Sequence, residues 1–213
     1  MSASPSDESN GADGSARDFL SGQLLIAMPN MLDPRFTRAV VLVCAHDADH
    51  AMGVVVNKPL GDVELSELFE QLEIDPREGA GGEPVYFGGP MQTERGLVLH
   101  TLDYRMETTI AVGSNIGVTA TRDILVDLGG REPNRAGPER YLLAIGHAGW
   151  GEGQLEQEIA MNAWAHCDAD EMIVFDGDKD ATWRKALSRI GVTSSAMLSP
   201  EWASIRNDDA PLN

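Results

Sequence analysis

Residues 39–59 have the sequence AVVLVCAHDADHAMGVVVNKP, and this stretch decides the fold. Its first seven residues are apolar throughout, which is typical of a strand covered on both faces of a sheet. A second apolar run, residues 52–56, follows after the short polar segment HDADH. Because the connection is short, we expect the two runs to pair as an antiparallel hairpin and Asn57, Lys58 and Pro59 to end the second strand.

Further elements follow from apolar patterning on both sides of the hairpin. Apolar side chains at helical spacing predict helices near residues 65–72, 122–128, 155–163 and 183–190. We expect Asp62 and Asp180 to cap the first and last of these helices, Gly129 and Gly130 to end the second, and Gly191 to end the last. The other predicted strands are residues 23–27, 85–87, 96–101, 108–112, 141–145 and 172–175.

The order of the elements predicts the fold class. Strands come first and a helix follows, then a block of strands, and then helices that alternate with single strands, without a repeat or a sustained βαβ rhythm. We therefore predict a single α+β domain with a mixed, mainly antiparallel, barrel-like sheet and packed helices, in preference to a doubly wound parallel sheet.

The ends of the chain differ from its middle. Residues 1–18 are rich in Ser, Gly, Ala and Asp and lack large apolar side chains after Met1, so we predict a disordered acidic tail. Residues 192–213 are predicted to be irregular. Cys44 and Cys167 share no metal-binding spacing, and no leader or membrane-length apolar run is present, so we expect a cytoplasmic protein without a membrane contact.

The charge of the chain limits its partners. At pH 7 the 213 residues carry 16 basic and 34 acidic side chains, a net charge of −18. The tail has four acidic residues and one arginine, a net of −3, which leaves −15 for the remainder. Phosphate backbones and anionic membranes are bound through Lys and Arg, so a nucleic-acid partner is disfavoured.

The segment GHAGWGEGQLEQE, residues 146–158, is the most unusual of the chain. Its glycines could bring backbone N–H groups close to a ligand, and we expect residues 146–153 to turn the preceding strand into a helix. A tight corner with Trp150 packed over it is the commoner meaning of such glycines. Glu152, Glu156 and Glu158 would repel phosphate, and residues 151–180 hold nine acidic side chains and one lysine, a net of −8.

Catalytic and metal sites have weaker signals. His46 and His50 have a spacing of four, but they lie in a predicted hairpin loop, where no metal site is expected. Glu152 and Glu156 share a helix face and could act as an acid–base pair, although exposed carboxylates commonly share a face without catalysis. His100 and His147 have no nucleophile nearby in the sequence. We predict no metal and no cofactor.

Six segments together resemble the YqgE/AlgH family of small bacterial proteins. They are GQLLIAMP (22–29), DPRFTRAVVLVCAH (33–46), GVVVNKP (53–59), VYFGGP (85–90), GLVLH (96–100) and GHAGWGEGQLEQEI (146–159). The resemblance runs from about Phe19 to Gly191, with His147 where Tyr is common and Met91 where Val is usual. It implies a single cytoplasmic α+β domain at residues 19–191.

The resemblance also implies a role in transcriptional regulation, through alginate synthesis, but no settled reaction and no catalytic residues. Because the body is acidic and no basic recognition helix is evident, we expect regulation through a protein or a small molecule instead of direct DNA binding. The alternative is a hydrolase-like enzyme that uses Glu152, His147 or His100. The predicted binding surface comprises Asn57, Lys58, Pro59, Gly88, Gly89, Pro90, Gly149, Trp150, Gly151 and Glu156.

Overall fold

The structure is a computed structural model that describes residues 19–130 and 137–192. The predicted tail, residues 1–18, and residues 193–213 of the predicted irregular segment lie outside these described residues. The strands are β1 (Gln23–Ala27), β2 (Val40–His46), β3 (His50–Val55), β4 (Pro59–Glu64), β5 (Pro84–Phe87), β6 (Met91–Thr101), β7 (Ile110–Val112), β8 (Ile116–Thr119), β9 (Tyr141–Gly151) and β10 (Trp164–Asp168). The helices are α1 (Leu65–Gln71), α2 (Arg122–Gly129), α3 (Gln154–Ala160), α4 (Glu171–Val174) and α5 (Lys179–Arg189).

The strands form one curled sheet, a half-barrel, with the order β10, β1, β2, β3, β9, β6, β8, β7. β4 joins it through β5, which lies beside β9 in the parallel direction, while the other strand pairs are antiparallel. The turn between β7 and β8 approaches Gly22, where β1 begins. The predicted α+β class with a mixed, mainly antiparallel, barrel-like sheet is thus confirmed.

The predicted hairpin of residues 39–59 is confirmed as β2 and β3, with an irregularity between Val43 and Ala45. Val40 and Leu42 face the interior of the half-barrel, where α4 and α5 cover them. Val41 and Val43 point to the other face, under α3 and two tryptophans. Complete burial of an aliphatic side chain contributes about 1.5–3 kcal/mol, so this two-sided strand anchors both cores.

β9, with 11 residues, pairs with β3, β5 and β6, and so connects the two halves of the sheet. Leu142 and Ala144 face the interior core, whereas Ala148 and Trp150 face the outer core beneath α3. Between them Gly146 has a φ of 74°, a left-handed conformation that side chains rarely adopt. The kink at Gly146 therefore lets one strand supply residues to two different cores.

The turn from β5 to β6 crosses β9 at this kink. The Gly88 N–H donates to the carbonyl of Ile145 at 2.8 Å, and the Gly88 carbonyl accepts from Val55 N–H at 2.8 Å. A Cβ on Gly88 or on Gly89 would lie closer than 3.0 Å to the backbone of Gly146 or His147, a separation that real Cβ atoms essentially never show. Both positions require glycine because two backbones touch there.

The predicted glycine corner at residues 146–153 is wrong, because β9 continues through Gly151. Pairing of Ala51 with Trp150 and of His50 with Gly151 keeps this segment extended. The helix that follows is α3, which ends at Ala160, so the predicted extension to Ala163 is also wrong. Cross-strand hydrogen bonds override the local freedom of the glycines here.

One further prediction needs correction, and three strands lie where none was expected. Residues 172–175 are not a strand: Met172, Ile173 and Val174 belong to the short helix α4, which starts where the Asp170 carboxylate accepts the Met172 N–H. A short apolar run cannot distinguish strand from helix by its pattern. The strands β4, β8 and β10 were not predicted, because β4 begins at a proline, β8 contains a glycine and β10 carries His and Asp.

Helix ends follow capping chemistry only partly as predicted. The N-cap of α1 is Glu64, in a reciprocal box with Glu67, not Asp62. The N-cap of α5 is Asp178, whose carboxylate accepts the Ala181 N–H, not Asp180. Gly130 ends α2 in the left-handed conformation, as predicted. Among the described residues no helix is long and apolar enough to cross a membrane.

The crossing of the two backbones generates a stability prediction. Gly89→Ala should lower the free energy of unfolding by about 3 kcal/mol or more, because the new methyl group meets the His147 backbone. Gly151→Ala is the matched control: a Cβ there meets nothing within 4 Å, so the change should be below about 0.5 kcal/mol. Urea unfolding followed by circular dichroism measures both, and equal effects would contradict the assignment.

Candidate functional site

Three predicted segments meet on the sheet: Asn57 to Pro59, Gly88 to Pro90, and Gly149 to Gly151. The Lys58 carbonyl accepts the Phe87 N–H at 2.8 Å, which joins the first segment to the second. Met91, next to Pro90, pairs with His147 on β9, and Trp150 pairs with Ala51 on β3. The three predicted segments therefore lie next to one another, although several of their glycines are required by backbone packing.

Asn57 is a structural residue of this region. It is buried, its Oδ1 accepts the Val40 N–H at 2.8 Å, and its Nδ2 donates to the Arg38 carbonyl at 2.9 Å. The amide thus fastens the loop before β2 to the end of β3. Lys58 is half-buried: burial lowers the pKa of its ammonium group, and the charge of Asp33 partly opposes that shift.

A carboxylate shared by two indoles organises the outer face of the sheet. Glu158 Oε2 accepts the Nε1–H of Trp150 at 2.9 Å and that of Trp164 at 2.7 Å. Glu158 Oε1 accepts from Gln154 Nε2 at 2.9 Å. The rings of the two tryptophans lie edge to face, with centroids 6.1 Å apart. The hydrogen bonds fix both rings in place.

These side chains form the wall of an open groove of about 400 Å³, which we call the tryptophan groove. Phe36 stands edge to face against Trp164, with centroids 5.6 Å apart. The Arg35 guanidinium binds both carboxylate oxygens of Asp33 at the rim, and this hydrogen bonding lowers the pKa of Asp33. The complete lining is Asn30, Met31, Leu32, Asp33, Arg35, Phe36, Pro90, Gly149, Trp150, Gln154, Glu158, Met161, Ala163 and Trp164.

The rim of the tryptophan groove exposes apolar side chains. Leu32 is 95% exposed and Met161 is 67% exposed. Met91 is also exposed, and its side chain lies against Gly149 in the groove lining. Isolated apolar residues on a surface are ordinary, but a group around an aromatic groove is typical of a binding site. This arrangement can bind an apolar group.

Glu156 lies behind the groove and not in its lining. Its Oε1 is 3.1 Å from His46 Nε2, and His46 Nδ1 accepts the Leu20 N–H at 3.0 Å. Since Nδ1 is an acceptor, the proton of the neutral ring is on Nε2 and is donated to Glu156. The His46 ring also packs against Phe19. Glu156 therefore connects α3 to the start of the described chain.

The residues of the hydrolase alternative do not converge. His100 is fully buried, and its pairing partner Tyr141 precedes His147 by six positions on β9, a distance of about 20 Å along a strand. Glu152 is exposed beyond the end of β9. Burial, and to a lesser extent Arg95, lowers the pKa of His147. Hence these three side chains do not form one acid–base site.

His100 belongs to a directed chain of buried hydrogen bonds. Its Nδ1 must donate to the Thr101 carbonyl at 2.9 Å, so Nε2 accepts from the Thr119 hydroxyl at 2.9 Å. Thr119 in turn accepts from the Thr109 hydroxyl at 2.8 Å, and Thr109 accepts the Met106 N–H. Burial lowers the pKa of His100. The chain is complete with a neutral ring, which indicates a structural role.

The two histidines predicted to lie in the hairpin loop instead lie in strands, and they have separate partners. His46 ends β2 and contacts Glu156, whereas His50 begins β3 and lies 3.0 Å from Asp47. Within residues 19–130 and 137–192 no group of three or more His, Cys, Asp or Glu side chains is arranged to hold a metal ion.

Sequence reasoning found Pro90, Gly149 and Trp150 but missed Phe36, Glu158 and Trp164, which also line the groove. Phe36 lies in a loop far from the other two in the sequence, whereas Glu158 on α3 and Trp164 on β10 are six residues apart, and β10 was not predicted. Helical spacing offered a partial signal, because Gln154 and Glu158 are four apart and share a face of α3. Nothing local indicates that one carboxylate binds two indoles.

The fold and the groove together define a class: a small single-domain α+β half-barrel with an aromatic groove on the outer face of its sheet. A family model described as AlgH-like matches residues 24–195, and the chain belongs to this family. The resemblance seen in the sequence is therefore confirmed.

Individual relatives agree with this assignment. A UPF0301 protein of Rhodopseudomonas palustris is 46% identical over 204 residues, which cover 92% of this chain and 93% of the relative. A UPF0301 protein of Caulobacter vibrioides is 44% identical over 83% of this chain and 90% of its own length. The solution structure of the AlgH protein from Pseudomonas aeruginosa has a TM-score of 0.69 and 33% identity, covering 93% of this chain and 98% of its own. These names state no activity.

The shared carboxylate predicts a large effect of one substitution. Glu158→Ala leaves two buried indole N–H groups without their acceptor and should lower the free energy of unfolding by about 2–4 kcal/mol. Glu152→Ala removes the same charge from an exposed position and should cost less than about 0.5 kcal/mol. Denaturant titration with tryptophan fluorescence measures both variants. If they were equally stable, the carboxylate would not organise the groove.

The neutral His100 predicts a pH dependence of stability. Its pKa is below the ordinary 6.5, so below pH 6.5 the unfolded chain takes up a proton that the folded chain does not. Stability should therefore fall as pH decreases from 6.5, by up to about 1.4 kcal/mol per pH unit relative to His100→Gln. An unchanged slope in His100→Gln would disprove the assignment.

Proposed function

We propose that this protein is a cytoplasmic binding protein with a regulatory role, and that it acts by contacting another protein without contacting DNA itself. The tryptophan groove is the proposed contact site. It would take one large apolar side chain of the partner, with a basic residue next to it. The observation that carries the proposal is the pair of indoles held by Glu158 beside exposed apolar side chains.

Preorganisation of the groove supports this proposal. Trp150 and Trp164 are buried apart from the faces that line the groove, and their N–H groups are already bound to Glu158. A partner therefore does not have to order these rings on binding, which lowers the entropic cost of association. Tryptophan is also among the residue types that most often dominate the binding energy of protein interfaces, especially where it lines a pocket.

The exposed rim supports a protein partner over a small polar ligand. Leu32 and Met161 extend the apolar surface outward from the groove. Methionine is unbranched and adapts to the shape of its partner, so it is common on surfaces that bind peptide segments. The rim would cover the flanks of a side chain that enters the groove.

The negative charge of the protein supports a basic residue next to the partner's apolar side chain. The chain carries a net charge of −18, and α3 beside the groove carries Glu156 and Glu158, with Glu152 just before it. The rim cation Arg35 is already paired with Asp33. A cationic partner is attracted to this acidic surface. A nucleic acid is disfavoured, because the surface offers few basic side chains to its phosphates.

A peptide selection tests the proposal. A phage-displayed library of random peptides, panned against the full chain, should yield sequences with one large apolar residue next to Lys or Arg. A synthetic copy of a selected peptide should bind the Met161→Asp variant about tenfold more weakly than it binds the parent protein, because the variant loses part of the apolar rim. The added negative charge would by itself favour a basic peptide, so a loss of affinity reports the apolar contact.

Met172→Asp provides the matched control. Met172 is 60% exposed on α4. Its replacement by Asp introduces the same charge away from the groove, so the affinity for the peptide should not fall. Equal weakening by both variants, or selected peptides without the apolar and basic pair, would contradict the proposal. A labelled DNA duplex at low salt should show no binding, and salt-dependent binding would contradict the exclusion of DNA.

A further inference from the structure

A second cavity, of about 170 Å³, shares no residue with the tryptophan groove. It lies where β5 and β9 meet the loop between α4 and α5, and Leu65, Leu142 and Phe175 contribute to its apolar lining. Two tyrosines, Tyr86 and Tyr141, and one amine also line it. The proposed binding function uses none of these groups.

The amine belongs to Lys179, the first residue of α5. Its Nζ donates to the Val174 carbonyl at 2.9 Å and lies 5.0 Å from the ring centroid of Tyr86. Burial lowers the pKa of Lys179 to about 8, and the charge of Asp176 opposes this shift. At pH 7.5 about a quarter of such an amine is uncharged, against about 0.1% of an ordinary lysine.

Acidic and phenolic groups complete the surroundings of the amine. The Tyr141 hydroxyl bonds to Glu83, and burial together with this carboxylate raises the pKa of Tyr141. Burial also raises the pKa of Tyr86, so both phenols stay protonated at neutral pH. Asp176 also binds Lys185. The amine thus faces a small cavity with two neutral phenols and two carboxylates.

We propose that Lys179 forms an imine with a small uncharged aldehyde or ketone that binds in this cavity. The bond to the Val174 carbonyl uses one N–H and leaves the lone pair of the neutral amine available. Size limits the carbonyl compound to a few carbon atoms. Glu83 and Asp176 disfavour a carbonyl compound that carries a carboxylate or phosphate, and they favour the cationic imine.

The reaction balances without an oxidant or a reductant. The Nζ lone pair attacks the carbonyl carbon, a C–N bond forms, and the carbonyl oxygen takes up a proton lost from nitrogen. The nitrogen lone pair then expels this oxygen as water after a second protonation, which leaves the protonated imine. The face of Tyr86 that lies near the ammonium is equally placed for the cationic imine.

Reductive trapping tests the proposal on the full chain. Propanal is added with sodium cyanoborohydride, which reduces a protonated imine to a stable secondary amine, and mass spectrometry of peptides locates it. The chain contains three lysines, Lys58, Lys179 and Lys185, so the other two are internal references. At pH 7.5 Lys179 should react about tenfold faster than either, with a rate that saturates with propanal and falls when 1-propanol competes.

The comparisons separate a binding site from a merely reactive or structural lysine. Glyoxylate should label Lys179 more slowly than propanal does. Equal rates at the three lysines within twofold, or a rate at Lys179 that rises linearly and ignores 1-propanol, overturns the proposal. These measurements use the parent protein, so the result stands even if Lys179→Met fails to fold.

Discussion

The close contact between two backbones at Gly88, Gly89 and Gly146 is the constraint on which the rest of the structure depends. It holds the turn before β6 against β9 and lets β9 change the core that its side chains face. Without the kink at Gly146, the strand could not supply Leu142 to the interior and Trp150 to the outer face. The groove therefore exists because three positions have no side chain.

Local patterns predicted all elements of the described chain except β4, β8, β10 and α4. The β2–β3 hairpin, β1, β5 and α1 followed from runs or stripes that form within one segment. The errors at β10 and at the end of β9 have a common cause, pairing with a strand that is distant in the sequence. β10 is extended because it pairs with β1, and the end of β9 is extended because it pairs with β3, although its glycines suggested a corner. Such pairing energy is not encoded in the segment itself.

The candidate site was predictable in place but not in composition. The glycines and prolines that were singled out lie in segments that adjoin in the structure, because a chain that crosses another closely needs glycine. They were interpreted as ligand contacts, yet Gly88, Gly89 and Asn57 have structural partners. The groove itself depends on Glu158, whose carboxylate reaches Trp150 and Trp164 only because α3 packs on β9 and β10. Spacing along the sequence could not reveal this packing.

One carboxylate that binds both indoles has a mechanical consequence. The rings of Trp150 and Trp164 are both hydrogen-bonded to Glu158, so neither ring can move without breaking or shifting a bond to the shared carboxylate. The positions of the two indole rings in the tryptophan groove are therefore fixed, while the exposed, unbranched side chains of Met91 and Met161 beside them can rearrange. In the proposed function, the fixed aromatic rings would therefore determine which side chain fits, and the flexible methionines would adapt to the residues beside it.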